Sequence, residues 1–392
     1  MVSQKMKQIG EKKSCIRELF DYGLRKAKEI GSENVFDFSL GNPSTPAPSD
    51  VADAISYLIE NEDSLKINGY TSAPGDLEVR KTVVNSLNRR FAKEYTPDEL
   101  FICSGAAPAL IACIRALIVD EKSEIVALAP HFPEYKVFVE ANGGVLKLVP
   151  AAVPSFGINF KGLESAIGAN TQAVIVNSPN NPTGVVYSKA DMDKLGGLLT
   201  EKSQEFNHPI YLISDEPYRE LVFDGVDVPW VPDCYKNTIV CYSYSKSLSL
   251  PGQRIGWILA PLDMTDRSNL WFAITGAARI SGHVCASSLY QQVIARCVDT
   301  KPDLTTYLTN RDLLYSSLTK LKYNCVYPQG AFYLFIEAPG GDAAAFSNKA
   351  KELGLLLSPS EDFGCEGWMR VSYCVPTERI TRALPIFEKL IK

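Results

Sequence analysis

Short runs of apolar and β-branched residues alternate with helix-like stretches through the middle of the chain. Several runs are apolar almost throughout, as expected for strands that are covered on both faces. We predict strands over residues 99–104, 124–130, 145–150, 171–177, 209–215, 238–243 and 254–260, with helices between them such as 108–119 and 189–202. This alternation predicts an α/β domain built on a mostly parallel sheet.

The pattern changes after about residue 287. A long helix-like region over residues 289–321 precedes a strand (330–337), a helix (343–353), a strand (368–373) and a terminal helix after Pro376. We interpret this part as a smaller α+β domain, which a helix-like segment over residues 14–30 joins from the other end of the chain. The predicted large domain, 45–287, is thus inserted between the two parts of the small domain, 1–44 and 288–392.

The size and net charge of the chain exclude some classes of function. The 392 residues exceed what one hydrophobic core usually organises, so two domains are expected. A net charge of -5 argues against nucleic acid as a partner, because such a surface needs a basic patch. The longest apolar run, around residues 108–119, contains Arg115 and is too short to span a membrane. Residues 1–13 lack the apolar core of a signal peptide.

The ten cysteines show neither a C-x-x-C pair nor the histidine spacing of a zinc site. Those in apolar stretches include Cys103, Cys113, Cys241, Cys285 and Cys374. We therefore expect buried, reduced thiols, no metal and a cytoplasmic location.

A lysine flanked by serines is the most informative motif. Ser243-Tyr244-Ser245-Lys246 ends an apolar strand, and Arg254 follows the lysine by eight residues. An amine held beside phosphate-binding groups is what pyridoxal phosphate (PLP) needs for a Schiff base. A second candidate phosphate contact is Ser104-Gly105-Ala106-Ala107-Pro108, where small residues and free N–H groups begin a helix. A surface amine and a plain strand-to-helix turn are the alternatives.

Two polar segments end neighbouring strands. One reads Asn177-Ser178-Pro179-Asn180-Asn181-Pro182-Thr183-Gly184, and in the other Tyr218 follows Asp215 by three residues. A carboxylate beside a pyridine nitrogen favours the protonated ring, which is the electron sink of PLP chemistry. An asparagine and a tyrosine could both hydrogen-bond the phenolic oxygen of the ring. The alternatives are a polar turn and, for Asp215, a helix N-cap.

Arg370 lies inside a short apolar strand, residues 368–373. A buried arginine needs an anionic partner, because leaving it unpaired is costly. A substrate α-carboxylate, gripped by the planar guanidinium, is one candidate, and a structural salt bridge is the other.

These motifs together resemble the class I/II aminotransferase family of fold-type-I PLP-dependent enzymes, which includes aspartate, alanine and aromatic aminotransferases. The resemblance extends from Leu40-Gly41-Asn42-Pro43 to Arg370, and three motifs in order carry it: Asn181-Pro182-Thr183-Gly184, Asp215-x-x-Tyr218 and the Ser-x-Ser-Lys-to-Arg spacing. It implies a three-layer PLP-transferase fold, a ping-pong transfer of an amino group from an L-amino acid to a 2-oxo acid, and a homodimer with shared active sites.

The resemblance also implies residue roles. Lys246 is the Schiff-base lysine and acid/base, and Asp215, Asn181 and Tyr218 contact the cofactor ring. Phe132 stacks on the ring, Arg370 binds the substrate carboxylate near Gly41 and Asn181, and Tyr70 reaches the phosphate of the partner subunit. The remaining phosphate contacts are Gly105, Ala106, Ala107, Ser243, Ser245 and Arg254. A cis peptide is expected before Pro182.

Some positions depart from the family pattern. Ala106 and Ala107 offer no hydroxyl, so their phosphate contacts are expected from the backbone only. No arginine is clearly placed to recognise a side-chain carboxylate, and the match around Arg279 is poor. His131 is expected to be structural. A β-eliminating C–S lyase on the same fold and a non-catalytic PLP-binding module remain as alternatives, and aspartate is the expected donor on family frequency alone.

Overall fold

The structure is a computed structural model that describes residues 1–11 and 15–392. In chain order, its strands are β1 (Phe36–Asp37), β2 (Leu100–Cys103), β3 (Glu124–Leu128), β4 (Val145–Val149), β5 (Thr171–Asn177), β6 (Tyr211–Asp215), β7 (Thr238–Ser243), β8 (Gly256–Leu259), β9 (Cys325–Val326), β10 (Tyr333–Glu337), β11 (Leu355–Leu356), β12 (Ser358–Pro359) and β13 (Trp368–Ser372).

The helices are α1 (Gln4–Glu11), α2 (Cys15–Ile30), α3 (Ser49–Asn61), α4 (Ser64–Asn68), α5 (Leu77–Phe91), α6 (Ala106–Leu117), α7 (Glu134–Ala141), α8 (Phe160–Ala166), α9 (Lys189–Glu205), α10 (Tyr244–Ser247), α11 (Arg267–Ile280), α12 (Ser288–Arg296), α13 (Thr305–Lys320), α14 (Ala343–Glu352) and α15 (Thr377–Ile391). Within residues 1–11 and 15–392, every helix is too short or too polar to cross a lipid bilayer.

A seven-stranded sheet in the order β2-β8-β7-β6-β5-β3-β4 forms the centre of the larger part of the molecule. From β7 to β4 the neighbouring strands are parallel, whereas β8 is antiparallel to both of its neighbours. The seven strands are those predicted from the sequence, each within a few residues of its predicted limits. The prediction of a mostly parallel sheet is therefore confirmed.

Helices cover both faces of this sheet. Ile213 of β6 packs into a cluster with Cys113 of α6 and Ile274 of α11. The preceding residue, Leu212, packs on the other face with Leu195 of α9, because successive strand residues point to opposite faces. Burial on both sides explains why the strands are apolar throughout, and it gives the three-layer architecture that the resemblance implied.

A smaller antiparallel sheet, in the order β12-β13-β10-β9, lies in the C-terminal part of the chain. Leu314 of α13, Phe346 of α14 and Phe387 of α15 share a buried cluster with Leu334 and Val371 of this sheet. The N-terminal segment packs here as well, since β1 pairs in parallel with β11.

The predicted N-terminal helix is α2, whose Leu19 is buried against Val35 and Leu356. Ser14, the first residue of the prediction, lies outside the described residues. The limits of the two domains stay a prediction.

The helix-like region predicted over residues 289–321 is two helices rather than one. α12 ends at Arg296 and α13 begins at Thr305, and Pro302 lies in the connection. Proline lacks an N–H and disfavours helix in the residue before it, so the helical pattern cannot continue through this point. Val293 and Ile294 of α12 pack with residues of α3 and α5, on the side of the larger sheet.

The ten cysteines are all free thiols, as expected from their spacing. Six are buried, whereas Cys15, Cys234, Cys285 and Cys325 are only partly buried. The expectation of burial was therefore wrong for these four, among them Cys285, which lies two residues before the N-cap of α12.

Candidate active site

A cavity of about 270 Å³ opens where the carboxyl ends of β5, β6 and β7 approach the start of α6 and the smaller sheet. Most of the predicted site residues line it: Gly41, Ala106, Ala107, Phe132, Asn181, Asp215, Tyr218, Ser243, Ser245, Lys246, Arg254 and Arg370. Gly105 borders the lining residues, and Tyr70 lies on the surface. The fold thus brings together side chains that are more than three hundred positions apart in the sequence.

Lys246 lies in α10, directly after β7. The hydroxyl of Ser243 accepts a hydrogen bond from the Ser245 backbone N–H and so caps this short helix (3.1 Å). The Lys246 Nζ donates to the carbonyl of Gly41 at 2.6 Å. Burial lowers the pKa of Lys246 to about 8, and the nearby guanidinium groups of Arg370 and Arg254 act in the same direction. A neutral amine is therefore accessible near neutral pH.

Asp215 ends β6, and its two carboxylate oxygens have different surroundings. Its Oδ2 accepts a hydrogen bond from the Tyr135 hydroxyl at 2.6 Å, whereas Oδ1 is buried without a partner among the described residues. Burial raises the pKa of Asp215 to about 7, although the Tyr135 hydrogen bond opposes that rise. Asp215 is followed by turns rather than a helix, so it is no helix N-cap.

Arg370 of β13 is 2% exposed and has no carboxylate within salt-bridge distance in the described part of the chain. Its Nη1 donates to Asn181 Oδ1 at 3.0 Å, its Nη2 donates to the carbonyl of Ser39, and its Nε has no partner there. The structural salt bridge therefore fails as an explanation for this arginine. A buried guanidinium with donors to spare suits an anionic ligand.

Asn181 and Tyr218 lie beside these charges. The Asn181 backbone N–H donates to Asn177 Oδ1 at 2.8 Å, which fixes the loop after β5. The Asn181–Pro182 peptide is cis, so that prediction is confirmed. The Tyr218 hydroxyl lies 2.7 Å from the Tyr333 hydroxyl, and both side chains are buried.

Hydroxyl, guanidinium and backbone groups also lie close together in the cavity lining. The hydroxyls of Ser243 and Ser245 are 2.6 Å apart. Gly105, the N-cap of α6, has a φ of 96°, and a Cβ there would lie 2.8 Å from the Arg254 Nη2. Only glycine lets the backbone approach the guanidinium so closely in this conformation. The arrangement is that of a small anion-binding cradle.

Comparison with known proteins decides the family. The sequence profile described as "Aminotransferase class I and II" matches residues 33–387. The chain belongs to the class I and II aminotransferase family. It is a PLP-dependent aminotransferase, as the motifs indicated.

Relatives of this aminotransferase match along its whole length. The aspartate aminotransferase of Thermotoga maritima is 27% identical, over 100% of this chain and 99% of its own. The aspartate/prephenate aminotransferase of Thermus thermophilus is 28% identical, over 93% of this chain and 94% of its own. A crystal structure of an amino transferase from Eubacterium rectale is 49% identical with a TM-score of 0.97, and the match covers 100% of this chain and 98% of that one.

Three further predicted residues of the aminotransferase differ in how they lie relative to the cavity. Phe132 lines the cavity and meets the Tyr135 ring edge-on, with ring centroids 5.7 Å apart. His131 is buried beside it, away from the cavity lining, and neither ring nitrogen has a hydrogen-bond partner among the described residues. Tyr70 is 88% exposed and is not among the described residues that line the cavity.

The sequence reasoning missed three polar residues of the site. Asn177 donates from Nδ2 to the backbone carbonyl of Asp215 at 2.9 Å. The Tyr135 hydroxyl donates to Asp215, and the Tyr333 hydroxyl lies within hydrogen-bond distance of the Tyr218 hydroxyl. Asn177 stands in a motif noted in the sequence and ends a strand, and Tyr135 follows Phe132 by three residues, so both positions were usable signals. Tyr333 stands in an apolar strand, where no local pattern separates it from the core.

Proposed function

We propose that this aminotransferase transfers an amino group from an L-amino acid to a 2-oxo acid by a ping-pong mechanism. The observation that carries the proposal is one cavity lined by a partly buried lysine, a buried carboxylate with an unpartnered oxygen, and a buried arginine without a carboxylate, within the described residues. Amine, acid and cation are the groups needed to hold the cofactor and an α-carboxylate together.

The residues fit pyridoxal phosphate, which members of this family use. When bound, the cofactor supplies an electron sink that makes the α-proton of an amino acid acidic. The free Oδ1 of Asp215 is suited to accept from a protonated ring nitrogen. The cradle of Ser243, Ser245, Arg254 and the start of α6 is suited to the phosphate, with Gly105, Ala106 and Ala107 contributing backbone N–H groups.

Asn181 and Tyr218 would donate to the phenolic oxygen of the cofactor, and Phe132 would stack on its ring. Arg370, with Gly41 and Asn181 near it, would hold the substrate α-carboxylate. Lys246, whose pKa burial lowers to about 8, would link to the cofactor and later, as a free amine, move the proton from the substrate α-carbon to the cofactor. Because one carboxylate site would serve the amino acid and the oxo acid in turn, the amino group would have to stay with the enzyme-bound cofactor between them, and this order of events is a ping-pong mechanism.

Aspartate is the donor that the named relatives suggest, because that of Thermotoga maritima is an aspartate aminotransferase and that of Thermus thermophilus an aspartate/prephenate aminotransferase. Among the described residues, the cations that line the cavity are Lys246, Arg254 and Arg370. Each has a role above, so among the described lining residues no cation is left to pair with a side-chain carboxylate. A half-reaction screen of L-amino acids, which follows loss of the visible band of the bound cofactor, identifies the donor.

A homodimer with shared active sites is part of this proposal. Tyr70 lies in a segment that packs against residues 283–288, since Gly69 accepts from the Ser288 hydroxyl and His283 contacts the Ala73 carbonyl. Val284 and Ile280 nearby are exposed apolar side chains, as is Tyr70 itself. Such exposed apolar residues are typical of a surface that a second copy covers. The cytoplasmic location stays a prediction.

Replacing Lys246 with alanine tests the proposal. We expect turnover to fall by about 10²–10⁴-fold or more, because the amine that moves the proton is gone. Borohydride, which fixes a Schiff base to the protein in the wild type, should leave no adduct on Lys246→Ala. Lys189→Ala, which removes an exposed lysine paired with Asp193, is the matched control and should keep both properties.

Full activity of Lys246→Ala would rule out the assignment. Pyruvate and ammonia released from cystathionine without an oxo-acid acceptor would instead indicate the C–S lyase reaction. The named relatives are aminotransferases, and this favours transamination over elimination.

A further inference from the structure

Tyr333 contacts three of the groups to which the proposed function gives roles. It lies in β10 of the smaller sheet, is 1% exposed and lines the cavity. Its hydroxyl lies 2.7 Å from the Tyr218 hydroxyl. Its ring lies 4.7 Å from the Arg370 guanidinium carbon. Among the described residues, the hydroxyl of Tyr333 is the group through which the smaller sheet reaches the Tyr218 hydroxyl.

The backbone at Gly41 also lies close to the Tyr333 hydroxyl. A Cβ on Gly41 would overlap the Tyr333 hydroxyl, so a side chain at Gly41 would displace the tyrosine. The carbonyl of Gly41 accepts from the Lys246 amine. The Tyr333 hydroxyl is therefore enclosed between Tyr218 and Gly41, with little freedom to move.

The direction of the Tyr218–Tyr333 hydrogen bond matters. Burial raises the pKa of Tyr333 to about 12 and that of Tyr218 well above its ordinary value, so both hydroxyls keep their protons near neutral pH. A hydroxyl has one proton to donate. If Tyr218 donates to Tyr333, it has none left for the cofactor, whereas if Tyr333 donates, the Tyr218 proton is free to point into the cavity.

We propose that Tyr333 is a positioning residue that donates its proton to the Tyr218 hydroxyl and so directs the Tyr218 proton to the phenolic oxygen of the cofactor. The inference rests on the proposed function, which places that oxygen beside Tyr218. A hydrogen bond accepted by the Tyr218 oxygen also strengthens the bond that its hydroxyl donates, because such chains polarise one another.

The test is a spectrophotometric pH titration of the PLP-loaded enzyme without substrate. A donor on the phenolic oxygen withdraws negative charge from it and disfavours the protonated form of the neighbouring lysine–cofactor linkage. Tyr333→Phe keeps the ring beside Arg370 and removes only the hydroxyl. We expect it to raise the midpoint of the titration by about 0.5 to 1 pH unit, which corresponds to one weakened hydrogen bond.

Two further variants separate positioning from general damage. Tyr218→Phe should raise the midpoint at least as far, and adding Tyr333→Phe to it should change the midpoint no further. Tyr373→Phe removes another fully buried hydroxyl of the same region, which donates to the Ala331 carbonyl at 3.3 Å, and should leave the midpoint unchanged.

An unchanged midpoint in Tyr333→Phe, or shifts that simply add in the double variant, would overturn the role of Tyr333 while leaving the proposed function intact. A wild-type protein that shows no lysine-linked absorption band with PLP would overturn both.

Discussion

Burial shifts the reactive groups of this site toward the charge state that water disfavours. Burial moves the pKa of Lys246 down to about 8 and that of Asp215 up to about 7, so each is held toward its neutral form until a ligand compensates. The sequence supplied these residue types and their order. It could not supply the burial that shifts them, because that depends on packing between distant segments.

The carboxylate oxygen of Asp215 that has no hydrogen-bond partner among the described residues should lower the free energy of unfolding of the cofactor-free protein. Because the folded pKa is raised, the folded state keeps a proton that the unfolded state loses, and the free energy of unfolding falls as pH rises from about 4 to about 7. Asp215→Asn does not titrate. It should therefore be more stable than wild type by about 4 kcal/mol above pH ~7, at ~1.4 kcal/mol per pKa unit, with the gain vanishing toward pH ~4, as denaturant unfolding would measure.

Asp224→Asn is the matched control for that experiment. Its hydrogen bond with Arg311 holds the pKa of Asp224 below its ordinary value, so its ionised form favours the fold. This variant should lose stability where Asp215→Asn gains it. A stability of Asp215→Asn that equals the wild type at every pH would contradict the unpaired-oxygen argument.

Among the secondary-structure elements, the buried parallel strands were predictable and the short ones were not. β5 and β7 match their predicted limits, because an apolar run bounded by polar residues carries the whole signal. β1, β9, β11 and β12 have two residues each and no periodicity, so only tertiary pairing defines them. The break between α12 and α13 had a local signal in Pro302, but the helical patterns on both sides of the proline obscured it.

The junction between β2 and α6 lets a matched glycine pair test the anion-binding cradle. Gly105 and Gly143 have φ values of 96° and 93°, but a Cβ on Gly143 would meet nothing within 4 Å. Gly105→Ala and Gly143→Ala should therefore both lower the free energy of unfolding by about 1 kcal/mol, through backbone strain. Only Gly105→Ala displaces Arg254, so only it should raise the dissociation constant for PLP, by about tenfold or more.

Fluorescence titration of the two cofactor-free variants with PLP measures this difference. Equal dissociation constants for the two variants would show that the approach of Gly105 to Arg254 does not serve the cofactor. A Gly143→Ala protein that also loses affinity would trace the effect to strain alone.

At the scale of the whole molecule, the candidate active site is formed by residues from the regions of both sheets. Gly41 is 205 positions from the lysine that it holds, and Asn181 is 189 positions from Arg370. Family motifs could name these residues from the sequence, since each motif is local, but their contacts follow from the way the smaller sheet meets the ends of β5 to β7. Tyr70 is the exception, because one chain leaves it at the surface.

A hybrid dimer tests whether Tyr70 serves the partner subunit. If sites are shared, a dimer of one Lys246→Ala chain and one Tyr70→Ala chain has one site with both defects and one site with neither. Such a hybrid, isolated with two different tags, should have about half the turnover of the wild-type dimer. A wild-type and Lys246→Ala hybrid should also have about half under either arrangement, so it calibrates the assay. If each site instead belongs to one chain, the mixed-variant hybrid contains no intact site, and its turnover will be no more than the mean of its two parent dimers.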